Sequence, residues 1–309
     1  MRIEKIMAAV IGLLVCALAF TYVLFKRGGT SWEAAAEPEQ RTEILVLSSY
    51  DTKQEQELLR RLAEDFNAVS QSLAVRIEFT ESENLKKDIF LRVDDGGQPD
   101  ILICSGMDMP GLADMGILEE LTEKIDGRMR RSVIYQDLWQ STMSDGRYYG
   151  LPFTCNPYVM FYNKTYLEEH NLPIPSNWDQ VFDVCNGIEG SGIYGLGMGL
   201  RRCQDAAILF NSILYVCGGN YYSLDAVQGL RTLEIFETLN RWGCMDKYAI
   251  NSTPKDAAKS FVQGRSVMLL APLDMQSELE RQSPGFAYGI GPLPGEIKEG
   301  YVLSGDNIC

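Results

Sequence analysis

Histidine is almost missing from this chain: His170 is the only one in 309 residues. Zinc sites with several histidine ligands and histidine proton relays are therefore excluded. A His-based triad would have to use His170, but Glu168-Glu169-His170-Asn171 reads as an exposed helix end. No extended cluster of Lys or Arg stands out beyond residue 30 either. The chain carries 28 Lys and Arg against 42 Asp and Glu, a net charge of −14. A binder of phosphate backbones needs a basic face, so nucleic acid is excluded as a partner. Phosphate-binding motifs do not occur. Gly195-Leu196-Gly197-Met198-Gly199 is dense in glycine, yet it lacks both the Gly-x-Gly-x-x-Gly spacing and the Lys-Ser/Thr of a P-loop. No Gly-x-Ser-x-Gly elbow and no metal loop of alternating acids is found. The eight cysteines contain no Cys-x-x-Cys pair. With Cys16 set aside, the other seven are odd in number and irregularly spaced. That argues against a metal cluster or a disulfide framework and for small buried hydrophobes.

What is present is ordinary globular material: 46% hydrophobic, 23% charged and 10% aromatic residues. The length suggests about two units of roughly 100–200 residues each. Ile6–Phe25 runs for twenty residues without a charge, which as a helix covers roughly 30 Å, the hydrocarbon thickness of a bilayer. Arg2 and Lys5 precede it and Lys26-Arg27 follow, so charge fixes its orientation poorly. Leu13-Leu14-Val15-Cys16 resembles a lipoprotein cleavage box in which Cys16 would be lipidated. Residues 1–27 thus read as a membrane anchor or signal segment. Residues 28–42, rich in Gly, Ala and Glu-Pro-Glu, read as a tether.

From residue 43 short apolar runs alternate with amphipathic helices. Ile44–Leu47 reads as a strand buried on both faces, and Leu58, Leu59, Leu62 and Phe66 recur at helical spacing. Val75, Ile77 and Phe79 alternate with charges, as in a half-buried strand. Ile101–Ile103 is a further buried strand. A second unit follows Pro152. Its strands are expected at Val159–Tyr162, Gly195–Met198, Val267–Leu270 and Phe286–Ile290. Its helices are expected at Trp178–Cys185 behind an Asn177 cap, at Ala206–Leu214 and at Leu230–Leu239. Strand–helix–strand order calls for largely parallel sheets covered by helices. Asp94-Asp95 reads as a solvated turn, and Asn163-Lys164-Thr165 and Asn251-Ser252-Thr253 as incidental glycosylation patterns. Nothing argues for an enzyme.

Four stretches carry a family resemblance: Leu62-Ala-Glu-Asp-Phe66-Asn67; Pro99-Asp100-Ile101 followed by Leu112-Ala-Asp-Met-Gly116; Asp145-Gly-Arg-Tyr-Tyr-Gly-Leu-Pro152 leading into Phe161-Tyr162-Asn163-Lys164 and Trp178; and Phe261-Val-Gln-Gly264 through Gly291-Pro-Leu-Pro294. In this order they resemble the extracellular solute-binding proteins of ABC importers, in the sugar-binding group that includes maltodextrin-binding proteins. The resemblance implies an α/β, two-lobed periplasmic-binding-protein-like fold (type II), each lobe a sheet flanked by helices. Lobe 1 would take residues 43–154 and 265–309, and lobe 2 residues 155–264 without its last helices. The chain would then be a truncated or degraded copy, or one completed by a partner. It further implies a monomer, held outside the membrane by its N-terminal helix or a lipid on Cys16. That monomer closes its lobes on a small solute, expected to be a saccharide, and delivers it to membrane permeases. No cofactor and no metal are implied. A tethered ligand sensor is the alternative reading. A glycosidase using Asp51 and Asp108 is the least favoured.

Position by position, the resemblance selects Ser49, Tyr50 and Asp51 in the first strand-end loop, and Ser105 and Asp108 in the loop Cys104–Asp108. At the hinge it selects Asn156 and Tyr158, and further on Arg201 and Asp274. Two positions depart from the family's pattern. Cys104 stands where sugar binders often place an aromatic, and Ala271-Pro272-Leu273 replaces their Gly-Pro-Trp. Both weaken the case for a maltodextrin-like stacking platform.

Overall fold

A computed structural model describes residues 41–50, 52–94, 96–125, 127, 136–188, 190–220, 224–296 and 305–309. The expected anchor over 1–27, Cys16, most of the tether, Asp51 and the Asp95 half of the acidic pair lie outside the described residues. Among the described residues no helix is long and apolar enough to cross a membrane. The described chain divides into two units: the residues up to Thr154 together with Asp306–Cys309, and Cys155 to Gly305.

The first unit begins with β1 (Thr42–Ser48), α1 (Lys53–Val69), β2 (Leu73–Phe79), α2 (Leu85–Asp94), β3 (Ile101–Ser105) and α3 (Met109–Asp114). The hairpin β4 (Met143–Ser144) and β5 (Arg147–Tyr148) and the short β6 (Leu151–Pro152) follow. Its sheet runs β2-β1-β3-β11-β6, where β11 is Asp306–Ile308 at the far end of the sequence. β1 is parallel to β2 and β3, and β11 is antiparallel to β3 and β6. The unbroken apolar run of β1 is explained by burial on both faces. Ile44 and Val46 pack with Leu59 and Phe66 of α1, whereas Leu47 joins Leu85 and Ile89 of α2 and Leu112 of α3. Thr52 starts α1 by accepting from the Glu55 N–H, the expected chemistry of an N-cap.

The second unit contains β7 (Tyr158–Asn163), α4 (Lys164–Glu169), α5 (Trp178–Gly187), β8 (Tyr194–Met198), α6 (Gln204–Val216), α7 (Val227–Arg241), α8 (Pro254–Val262), β9 (Ser266–Pro272), α9 (Met275–Gln282) and β10 (Tyr288–Gly291). Its sheet runs β10-β7-β9-β8, with β8 parallel to β9 and the other pairs antiparallel. One face holds Met160, Leu196, Met198, Met268 and Leu270 against α5, α6 and α7. The other sets Val159, Phe161, Leu269 and Ala271 against Ala258 and Phe261 of α8 and Leu279 of α9. Asn177 caps α5 by accepting from the Gln180 N–H, and Gly218, at φ 82°, ends the α6 segment, as the sequence suggests. His170 is exposed at the end of α4, stacked on Tyr166.

One expected boundary is corrected. Residues 265–309 do not return to the first unit as a block. β9 is bonded between β7 and β8, and every residue of it is buried, so it is the centre of the second sheet. Only Asp306–Cys309 rejoins the first unit. A sequence pattern identifies a buried strand but not its neighbours, because the same apolar run suits either sheet.

Candidate functional site

In open α/β sheets, ligands meet the loops beyond the carboxyl ends of strands. In the first unit β1 and β3 are parallel and end together, which puts Ser48–Tyr50 beside Ser105–Asp108. Main-chain and hydroxyl bonds fix these loops. The Ser49 N–H and hydroxyl both donate to the Ile103 carbonyl, at 3.1 and 3.4 Å. The buried Ser48 hydroxyl accepts from the Tyr50 N–H at 3.2 Å, and the Gln56 amide donates to the Tyr50 carbonyl at 2.9 Å. The Tyr50 ring lies partly buried against the core under α1. Burial pushes its phenol well above the usual tyrosine range, and the Asp306 carboxylate adds to the rise, while a bond with Thr154 opposes it.

Asp306 is the group sequence reasoning missed here. It stands directly opposite Ser105 in the antiparallel register of β11 and β3. Its N–H donates to the Thr154 hydroxyl at 2.8 Å, and that hydroxyl donates back to Oδ2 at 3.0 Å. Its neighbour Asn307 is 1% exposed and exchanges two bonds with Ser141, at 2.7 and 2.9 Å, which pins the strand. β11 spans three residues, too few to show a period, so no sequence signal announced Asp306. Asp108 is less available than expected: it forms an ion pair with Lys86 of α2 at 3.0 Å. Ser105 accepts from the Met107 N–H at 3.3 Å. Cys104 is fully buried and faces α2 and α3.

In the second unit the register Tyr158↔Pro272 brings the start of β7 beside the end of β9. Asn156 Oδ1 accepts from the Asp274 N–H at 3.0 Å, and the Leu273 N–H donates to the Pro157 carbonyl at 2.9 Å. Asp274 is held above the usual carboxylate range by desolvation, partly offset by bonds from the Asn156 amide and the Met275 N–H. A carboxyl that is strained by its surroundings yet reachable from solvent is one that a hydroxyl ligand would stabilise. Tyr158 proves to have a different role from the one expected. It is 1% exposed, and its hydroxyl donates to the Asp205 carbonyl at 3.0 Å at the start of α6. It braces the core beneath Asn156.

Because β8 is parallel to β9, Arg201 lies at this same end of the sheet. It is exposed, and its N–H donates to the Ser252 carbonyl at 3.0 Å. Gly199 makes that approach feasible, since a Cβ there would collide with the Thr253–Pro254 backbone. Arg201 also contributes to keeping Asp256 ionised, behind the larger effect of the Thr253 bonds. Among the described residues no group of three or more His, Cys, Asp or Glu is placed to hold a metal. A small apolar pocket of about 40 Å³ under α1 is lined by Val46, Leu59, Ile77, Ile103 and Phe153. Without polar partners it has no use for a polar solute.

Both units therefore present hydrogen-bonding side chains at strand ends. The fold is that of the two-lobed solute-binding proteins. A structure of an ABC transporter solute-binding protein of Thermotoga lettingae, bound with α-D-tagatose, superposes with a TM-score of 0.70 at 20% identity over 86% of this chain and 72% of that one. A maltose-bound MalE3 of T. maritima gives 0.70 at 19% identity over 86% and 71%. The family model of bacterial extracellular solute-binding proteins matches residues 51–307, and the chain belongs to that family. Membership implies a place outside the cytoplasm. A maltotriose-binding protein of Pyrococcus abyssi is 26% identical over 263 residues, 80% of this chain and 52% of the relative. A binding protein of Brucella abortus is 21% identical over 237 residues, 74% and 57%. The chain spans about half the length of these curated relatives.

Proposed function

We propose that this protein captures a saccharide, as the extracytoplasmic substrate-binding component of an ABC importer, and presents it to membrane permeases without changing it covalently. The family match over residues 51–307 carries this reading. The strand-end chemistry supports it: Asn156 and Asp274 in one unit, and Ser49, Tyr50, Ser105 and Asp306 in the other, are donors and acceptors suited to sugar hydroxyls. Asp108 and Arg201 stand at the margins of these groups, held to Lys86 and beside Ser252. Relatives named for maltotriose, tagatose and maltose support a saccharide as the solute class. Either Ile6–Phe25 or, in its place, a lipid on Cys16 holds the chain to the outer face of the membrane.

A thermal-shift screen of the full chain against mono- and oligosaccharides tests this. Ligand at 100 times its dissociation constant stabilises a folded protein by about 2.7 kcal/mol. The expected outcome is a clear rise in melting temperature with at least one sugar, which is recovered chemically unchanged. A folded chain indifferent to every sugar contradicts the reading.

A further inference from the structure

All seven described cysteines are free thiols, and two of them meet in the second unit. Cys185 lies on α5 and Cys244 in the segment after α7. The Leu196 N–H donates to the Cys244 carbonyl at 2.9 Å, and Leu196 pairs with Met245 in parallel register. That register sets Cys244 beside Gly195, so the Cys244 side chain leaves the chain on the face where a Gly195 side chain would stand. Gly195 has none, and the hollow is filled from the other side: a Cβ there would collide with Cys185 Sγ. Cys185 and Cys244 thus border the same hollow beside Gly195. Both residues are almost fully buried in the same core.

We propose that Cys185 and Cys244 are a disulfide-forming pair that locks α5 to the end of α7 when the chain folds in an oxidising compartment. The compartment rests on the extracytoplasmic reading above; the pairing does not. The attacking thiolate can come from either cysteine and is taken here as Cys244. It attacks a sulfur of a small-molecule or protein disulfide, forming a mixed disulfide and releasing one thiolate of the oxidant. Cys185, losing its proton, then attacks Cys244 Sγ and displaces the second. Two thiols are oxidised to one disulfide, and the oxidant's disulfide is reduced to two thiols. A contrasting pair sharpens the choice. Cys104 Sγ and Cys309 Sγ are 3.8 Å apart, but Cys104 stands opposite Asn307 on the neighbouring strand. That pair joins diagonal rather than directly opposed positions on neighbouring strands, a geometry less suited to a disulfide.

The test is to unfold the full chain in urea and refold it by dilution into buffer containing oxidised and reduced glutathione. Free thiols are then alkylated and the peptides mapped. The expected result is a linked Cys185–Cys244 peptide, two fewer free thiols, and a higher melting temperature than the same chain refolded with reductant. C185S should leave Cys244 alkylated and abolish the oxidant-dependent rise, while C155S, at an exposed thiol, should change neither. Recovery of Cys185 and Cys244 as alkylated thiols from folded, oxidant-treated chain overturns the proposal. So does a link from either to another cysteine, or a linked chain that melts no higher. Should C185S fail to fold, the wild-type map decides alone. Sugar binding plays no part in any of these readouts.

Discussion

Asp274 and Asp306 are two carboxyls at strand ends whose surroundings treat them differently. Desolvation raises Asp274. A carboxyl raised in the folded state binds its proton more tightly than in the unfolded chain. Its favourable contribution is therefore present in acid and is lost as pH rises through the folded value. Asp274→Asn should accordingly raise the melting temperature at neutral pH, with the gain shrinking in acid, and weaken saccharide binding at the same time. Melting curves across pH with parallel titrations check both halves. Asp306 is held by Thr154 and approached by the Tyr50 phenol. Asp306→Asn should keep the fold and reduce saccharide affinity about tenfold, the size of one hydrogen bond to a charged group. Isothermal titration with circular dichroism as the folding control measures this. Ser49, Tyr50, Asn156 and Asp274 could be proposed from the sequence because each sits next to a recognisable strand. Tyr158 was misread, since alternation along β7 turns it into the core, where its hydroxyl is spent on Asp205. Asp306 was invisible, because its place depends on a register between distant segments.

Among the elements, α8 shows how local chemistry and packing combine. Thr253 and Asp256 form a complete capping box around Pro254, and bonds from Thr253 hold Asp256 below its usual range. Thr253→Ala should cost about 1 kcal/mol in denaturant unfolding. A depressed carboxyl stabilises the fold above its unfolded value, and the benefit disappears as pH falls through the folded one. Asp256→Asn should therefore lower the melting temperature at neutral pH and make little difference in strong acid. Phe261 on the same helix is fully buried against Phe286 and the β7–β9 face. Phe261→Ala should cost about 3–5 kcal/mol, read as a shift in the denaturant midpoint. Helices α5 and α6 were legible because a cap or a terminating glycine accompanies a periodic face, whereas α8 itself went unread. Strand partnership was not legible. Val267–Leu270 announces a strand, yet nothing in it says that β7 and β8 are its neighbours, which is why residues 265–305 were expected in the wrong unit.

At the scale of the whole molecule, composition excluded more than it identified. A net charge of −14 and a single histidine argued against a nucleic-acid partner and against histidine-based metal and proton-relay chemistry. The segment order supplied the family, and the structure places its polar strand-end groups on two sheets of different connectivity. Each sheet is covered by helices on both faces, so each unit has its own core. The departures at Cys104 and at Ala271-Pro272-Leu273 weaken the case for a maltodextrin-like stacking platform. The most direct measurement of the central claim is calorimetric titration of the full chain with a saccharide panel, repeated on Asn156→Ala and Asp306→Asn. Saturable one-to-one binding of at least one sugar, weakened by a variant in each unit while both variants stay folded, is the predicted result. A sugar that binds wild type and both variants equally, or a folded wild type that binds none, would contradict the account.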